Sequence, residues 1–123
     1  MPTPAARAAV PISNDNITDR LAIRRVLDWY AASYSRRDID AVAAITPDVD
    51  TTYLAREFAT RERQDLHFRR CLIDVRGSQA TARCVGELHY MPRAGVPASR
   101  PVRWDFTMAE ENRGWVIEDV MRR

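Results

Sequence analysis

Lysine is missing from this chain of 123 residues, and several residue types that mark common functional motifs are scarce. With only four glycines, the chain has no glycine-rich loop to wrap a phosphate and no nucleophile elbow. The two cysteines and two histidines lack the spacing of metal ligands, so the sequence predicts neither a metal nor a cofactor. No apolar run approaches the length of a membrane-spanning helix.

The charges of the chain nearly cancel. Nineteen basic residues, all arginine, face seventeen acidic ones, which leaves a net charge of +2. So small a charge attracts neither nucleic acid nor a membrane surface. Arginine without lysine, together with abundant alanine, indicates the codon usage of a GC-rich bacterial genome more than selection for phosphate binding. We expect a cytoplasmic protein.

The length fits one domain. Residues 1–16 contain three prolines and no helical periodicity, which predicts a mobile leader before a single domain over residues 17–123. Residues 5–10 are too short, and too interrupted by Arg7, to form a signal-peptide core. If the chain is a module of a larger protein, the leader would be its linker.

The clearest periodicity lies in residues 18–48. Apolar side chains recur there at the spacing of one helical face, which predicts a first helix with these buried positions: Ile23, Val26, Leu27, Tyr30 and Tyr34. Asp38 can cap a second helix over residues 39–45, which Pro47 ends.

A third helix is predicted over residues 51–60. Leu54 and Phe58 lie one helical turn apart, and either Asp50 or Thr51 can serve as the cap.

From Asp65 onward the period changes to two, which predicts four antiparallel strands in meander order. The parity of the first strand slips at Arg69-Arg70, which indicates a β-bulge. Gly77-Ser78 is the first turn, and residues 92–101 are predicted as a loop. The later strands cover these ranges: 80–91, 102–109 and 115–121.

The alternation sorts the strand residues onto two faces. The face toward the helices holds an apolar set: Ala82, Cys84, Leu88, Trp104, Phe106, Met108, Trp115 and Ile117. The outer face holds a mainly ionic set: Arg83, Glu87, His89, Arg103, Asp105 and Glu118.

A two-residue turn at Gly77-Ser78 places Cys71 opposite Cys84. The sequence predicts two reduced thiols, because a bridge directly across adjacent strands is strained and the cytoplasm keeps thiols reduced.

The chain resembles the NTF2-like superfamily, which includes SnoaL-like proteins and ketosteroid isomerases. The likeness spans roughly residues 18–120 and is carried by these segments: residues 23–30, residues 37–42, Pro47-Asp48 and Trp115-Val116-Ile117. It implies an α+β cone in which three N-terminal helices pack on a curved four-stranded antiparallel sheet.

In the isomerase branch a tyrosine of the first helix donates to the oxyanion, and Tyr30 matches that position. The base of that branch lies in a region where residues 52–54 of this chain hold no acid. Asp119 follows the parity of Trp115 and Ile117 and is the other candidate catalytic residue. The inner face predicts a ligand pocket with these residues: Tyr30, Tyr34, Trp104, Phe106 and Trp115.

Three functions follow from these residues. The favoured one is non-catalytic binding of an apolar small molecule in an aromatic-lined pocket. The second is an isomerase or cyclase that acts on an apolar carbonyl compound. The third is a dimerisation or scaffold domain whose cavity is filled by Trp104, Phe106 and Trp115. The resemblance and the mixed charges of the outer face also predict a homodimer through that face.

Overall fold

The computed structural model describes residues 14–112 and 114–123, with side chains from Ile17 onward. The elements, in chain order, are α1 (Asn14–Ser35), α2 (Ile39–Ile45), α3 (Thr51–Ala59), β1 (Arg61–Arg76), β2 (Gln79–Pro92), β3 (Ala98–Glu111) and β4 (Gly114–Arg122). The strands form one antiparallel sheet in the order β1-β2-β3-β4, which confirms the predicted α+β architecture. Residues 1–13 of the predicted leader lie outside the described part of the chain. Residues 14–16 are the first residues of α1.

Both short helices are capped by an aspartate: Asp38, the predicted cap of α2, and Asp50, one of the two residues predicted as possible caps of α3. The Asp38 carboxylate accepts a hydrogen bond from the Ala41 amide at 3.0 Å, and Asp50 accepts one from the Tyr53 amide at 3.0 Å. Each aspartate satisfies one of the amides that a helix leaves unpaired in its first turn.

The sheet register confirms the predicted faces of β2 and β3. Trp104 and Phe106 are buried against the helices, while Arg83 and Arg103 are exposed on the outer face. The predicted bulge also lies where expected, between Phe68 and Arg70.

Gly86 faces this bulge. A Cβ atom there would lie 1.8 Å from the main-chain oxygen of His67, so no other residue fits without moving the backbone.

The prediction of two reduced thiols is wrong, because a disulfide joins Cys71 to Cys84. The register itself is as predicted: the two residues are direct cross-strand partners with Cα atoms 4.0 Å apart, so their sulfurs can meet. Disulfides persist mainly in oxidising compartments, and the cytoplasmic location stays a prediction.

The predicted loop over residues 92–101 is shorter than expected, because β3 already begins at Ala98. Pro101 pairs with Glu87 of β2, while β4 pairs with β3 only from Trp104 onward. At Pro101, β3 is therefore locally an edge strand, where the missing amide of proline costs no ladder hydrogen bond.

None of the helices in the described part of the chain is both long enough and apolar enough to cross a membrane.

Candidate functional site

Aromatic rings fill the centre of the molecule, between α1 and the sheet. Their centroids lie between 5.0 Å (Tyr34 to Phe58) and 6.2 Å (Tyr30 to Trp104) apart, mostly edge to face. Tyr34, Trp104 and Phe106 are at most 3% exposed, so they form a packed core. The structure does not confirm an open, aromatic-lined pocket at this position.

Trp115, the remaining predicted ligand residue, lies apart from these rings. It is 4% exposed and borders a surface groove beside Ile45 and Pro47.

Open space borders Tyr30 instead, in a cleft between α1, the start of α3 and the end of β4. This α3–β4 cleft has a volume of about 190 Å³, and its walls include Tyr30, Thr46, Tyr53 and Arg122. The volume is below the roughly 300 to 1,000 Å³ of pockets for drug-sized ligands, so only a small ligand fits.

A wider groove of about 500 Å³ lies beside His89 and Tyr90, and none of the predicted site residues lines it. The α3–β4 cleft borders both predicted catalytic residues, Tyr30 and Asp119, so we take it as the candidate site.

Arg122, which borders the cleft, is held by a largely buried carboxylate, that of Glu57. Arg122 donates to Glu57 through both terminal nitrogens, Nη1 to Oε2 at 2.6 Å and Nη2 to Oε1 at 3.0 Å. The phenol of Tyr34 donates to Oε1 at 3.0 Å. Arg61, in turn, donates to the Tyr34 oxygen at 3.1 Å. Both oxygens of the Glu57 carboxylate thus accept hydrogen bonds, two at Oε1 and one at Oε2.

These contacts set the protonation of Glu57. Burial by itself would raise its pKa, but the hydrogen bonds and charge of Arg122, the Tyr34 phenol and Arg61 lower the pKa below its ordinary value. Burial would similarly lower the pKa of Arg122, and Glu57 raises it instead. The pair stays ionised at neutral pH, and a carboxylate so stabilised is a weak general base.

Tyr30 is held in its neutral form. Burial raises the pKa of its phenol to about 12, although the nearby Arg122 acts in the opposite direction. The phenol therefore keeps its proton at physiological pH and can donate a hydrogen bond to a carbonyl or hydroxyl oxygen.

The prediction that Asp119 shares the inner face of Trp115 and Ile117 is wrong. The register between β3 and β4 shifts at Thr107/Met108, so that Met108 pairs with Ile117 but Thr107 with Asp119. Asp119 is exposed at the rim of the α3–β4 cleft.

Beyond this shift, Val120 and Arg122 turn inward as the partners of Phe106 and Trp104. The Arg122 guanidinium consequently lies over the Trp104 ring, 4.4 Å from its centroid.

Sequence reasoning missed Glu57 and Arg122. Glu57 could have been found, because it lies three residues after Leu54 and one before Phe58, on the face that the third helix buries. Arg122 carried no such signal, since the sequence does not reveal the register shift that turns it inward. Among the described residues, no group of three or more side chains is arranged to hold a metal ion.

Comparison with solved structures identifies the fold. A protein of Novosphingobium aromaticivorans, provisionally named a scytalone dehydratase, superposes with a TM-score of 0.80 at 15% identity, over 89% of this chain and 86% of its own. An NTF2-like superfamily protein of Salmonella enterica serovar Typhimurium matches with a TM-score of 0.77 at 18% identity, over 88% and 92%. A protein of Streptomyces avermitilis, provisionally named a dehydratase of the NTF2-like family, gives 0.76 at 13% identity, over 85% and 95%.

The chain therefore has the NTF2-like fold that its sequence resembles. At such low identities this likeness establishes the fold alone. No protein-family model matches the sequence, and no curated protein matches it in sequence either.

Proposed function

We propose that this chain is a small-molecule-binding domain whose ligand occupies the α3–β4 cleft and accepts a hydrogen bond from Tyr30. The observation that carries the proposal is the position of a protonated, buried phenol beside the described cleft. Val49, Leu54 and Val120 supply apolar wall around it, and an apolar wall with a few oriented polar groups is the usual composition of a ligand site.

The state of Glu57 supports binding without acid–base catalysis. A general base needs a free lone pair and a pKa near the working pH. Glu57 fails the second requirement, because its pKa is lowered, and both of its oxygens already accept hydrogen bonds from Arg122 or Tyr34.

A second candidate function is an enzyme, either of the isomerase type that the sequence resemblance implies or of the dehydratase type that the names of two structural neighbours suggest. The supporting observation is that Asp119, although exposed, borders the same cleft as Tyr30. Tyr30 would stabilise an oxyanion, and Asp119 would act as the base.

The packed aromatic centre suits the third candidate, a scaffold domain. That function does not require the cleft beside Tyr30 to bind anything.

Binding of phenethyl alcohol and acetophenone, two small aromatic probes with one oxygen, tests the proposal. Tyr30→Phe should weaken their binding by about 0.5 to 1.5 kcal/mol, the net value of a neutral hydrogen bond. Its free energy of unfolding should change little. Tyr90→Phe, a matched change outside the cleft, should leave the affinity unaltered. The proposal would be refuted if neither probe bound the wild-type protein, or if both variants lost the same amount of affinity.

A substrate screen separates binding from catalysis. If the protein turns over a carbonyl compound, Tyr30→Phe and Asp119→Asn should each lower the rate by orders of magnitude while affinity changes little. Such a result would establish the enzyme instead of the binding domain.

A further inference from the structure

Four arginines line a groove of about 680 Å³ on the outer face of the sheet, which we call the outer-face groove: Arg69, Arg70, Arg103 and Arg123. These residues are distant in the chain, and the sheet register brings them together. Arg70 and Arg103 both pair with Val85, one from each side of β2. No acidic residue of the described chain is part of the lining of this groove.

Only two of the four arginines have a carboxylate as a partner. Arg69 pairs with Glu87 at 3.0 Å, and Arg123 pairs with Asp105 at 2.6 Å. The other two form no ion pair with any residue in the described ranges. The two ion pairs cancel, so a surplus of two positive charges is left at the groove, although the whole chain carries only +2.

The arrangement is unfavourable for the sheet by itself. Arg103 and Arg123 lie opposite one another on neighbouring strands, where the Arg123 amide donates to the Arg103 carbonyl at 2.9 Å. Like charges that lie directly opposite destabilise a sheet. Asp105 offsets the charge of Arg123 alone. An anion bound between the guanidinium groups would replace this repulsion by attraction.

The chemistry of the groove suits a phosphate monoester. A guanidinium group donates two parallel hydrogen bonds to phosphate oxygens. A phosphate monoester carries a charge of about −1.5 to −2 at pH 7, which matches the two arginines that lack a carboxylate. The groove is also larger than a phosphate group, since its 680 Å³ lies within the roughly 300 to 1,000 Å³ of sites for drug-sized ligands. Val85 and Pro101 offer apolar contact to the rest of such a ligand.

We propose that the outer-face groove binds a small organic phosphate monoester, with its phosphate between Arg70 and Arg103. This is a second site, because Tyr30 packs against Phe106 on the inner face of the sheet. It does not depend on the proposed function. A small molecule is favoured over nucleic acid or a membrane surface, since the surplus charge is confined to one groove of a nearly neutral chain.

Three probes test the charge and the size of the ligand: phenyl phosphate, methyl phenyl phosphate and inorganic phosphate. Their dissociation constants are measured by titration of ¹⁵N-labelled protein at about pH 8, where the monoester is a dianion. The amide shift changes should centre on Gly86 and Arg103. Phenyl phosphate should bind about three- to fivefold more tightly than the singly charged diester, because its second charge adds one exposed ion pair. Inorganic phosphate should bind more weakly than phenyl phosphate, since it lacks the organic body.

Removal of the two arginines provides the second test. The double variant Arg70→Gln, Arg103→Gln should bind phenyl phosphate about five- to twentyfold more weakly than the wild type and lose the preference for the monoester. The matched control is Arg25→Gln, Arg36→Gln, which removes two exposed arginines of α1 and the same net charge. Its affinity for phenyl phosphate should not change, nor should that of Tyr30→Phe. Because the expected homodimer uses the same face, sedimentation of each sample shows whether a lost affinity reflects ligand contacts or altered association.

The outcomes decide this inference separately from the proposed function. A preference for the monoester that the groove variant loses and the control variant retains supports the inference. Equal affinities for monoester and diester, or equal losses in the two double variants, would overturn it. Inorganic phosphate that binds as tightly as phenyl phosphate would exclude an organic ligand. If short DNA or phosphatidylserine vesicles bind through the same arginines while phenyl phosphate does not bind, the partner is a polyanion and the inference is wrong.

Discussion

Glu57→Gln should destabilise the fold far more than an ordinary surface substitution. The Glu57 side chain is only 13% exposed, and its partner Arg61 is 8% exposed. Glutamine keeps the shape and one acceptor oxygen for Tyr34, but it leaves two guanidinium groups without their carboxylate. Removal of one partner of a buried ion pair costs about 3 to 5 kcal/mol. Because the Arg122 side chain is 30% exposed, water offsets part of that cost, and we expect a loss of about 2 to 3 kcal/mol.

Urea unfolding followed by tryptophan fluorescence and far-ultraviolet circular dichroism measures this loss. Glu87→Gln is the matched control, since Glu87 pairs with Arg69 on the exposed outer face at 36% and 58% exposure. An exposed pair contributes about 0 to 1 kcal/mol. Equal losses of unfolding free energy in the two variants would refute the conclusion that the Glu57 ion pairs stabilise the fold more than an exposed ion pair does.

The pH dependence gives an independent check. The folded state lowers the pKa of Glu57 below its ordinary value of 4.5. Its contribution to stability is therefore complete above that ordinary value, which applies to the unfolded chain, and is lost as the pH falls through the lower folded-state pKa. The difference between wild type and Glu57→Gln should stay constant from pH 7 to about pH 5 and shrink at lower pH. A difference that grows on acidification would contradict this assignment.

Two other predictions concern the sheet. Gly86→Ala should lower the free energy of unfolding by about 3 kcal/mol, because its Cβ would overlap the His67 oxygen. Gly77→Ala is the control: its Cβ would meet nothing within 4 Å, but the φ of +63° is unfavourable for alanine. Its free energy of unfolding should fall by only about 1 kcal/mol. Equal losses of the two variants in urea unfolding would refute the steric argument. The expected homodimer should bury at least about 1,000 Å² in total through the outer sheet face, where Leu72 and Met121 are 62% and 51% exposed. Sedimentation should report twice the chain mass for the wild type and the single chain mass for Leu72→Lys, and a wild-type monomer at high micromolar concentration would exclude the dimer.

Local patterns in the sequence were enough to predict the elements and their faces. The spacing of apolar residues located the helices. Asp38 was identified as one cap and Asp50 as one of two candidates for the other, because capping depends on groups within one helical turn. Strict alternation placed Trp104 and Phe106 inside and Arg83 and Arg103 outside. The sequence also indicated the bulge at Arg69-Arg70, because the inward apolar residues have even numbers before it and odd numbers after it.

The candidate site depended on tertiary structure. The register shift at Thr107/Met108 leaves little trace in the sequence, because the residues after it alternate less clearly between apolar and polar. It exchanged the predicted inward acid, Asp119, for an inward base, Arg122. Arg122 then meets Glu57, 65 residues earlier in the chain, and no local pattern reports a contact over such a separation.

The sequence by itself therefore determined the α+β fold, the cap of α2 and the two faces of β2 and β3, since each follows from interactions between near neighbours in the chain. Whether the aromatic residues would enclose a pocket or pack against one another was decided only in three dimensions. That outcome depends on the distances between side chains of different elements, such as the 5.2 Å between the rings of Tyr30 and Phe106.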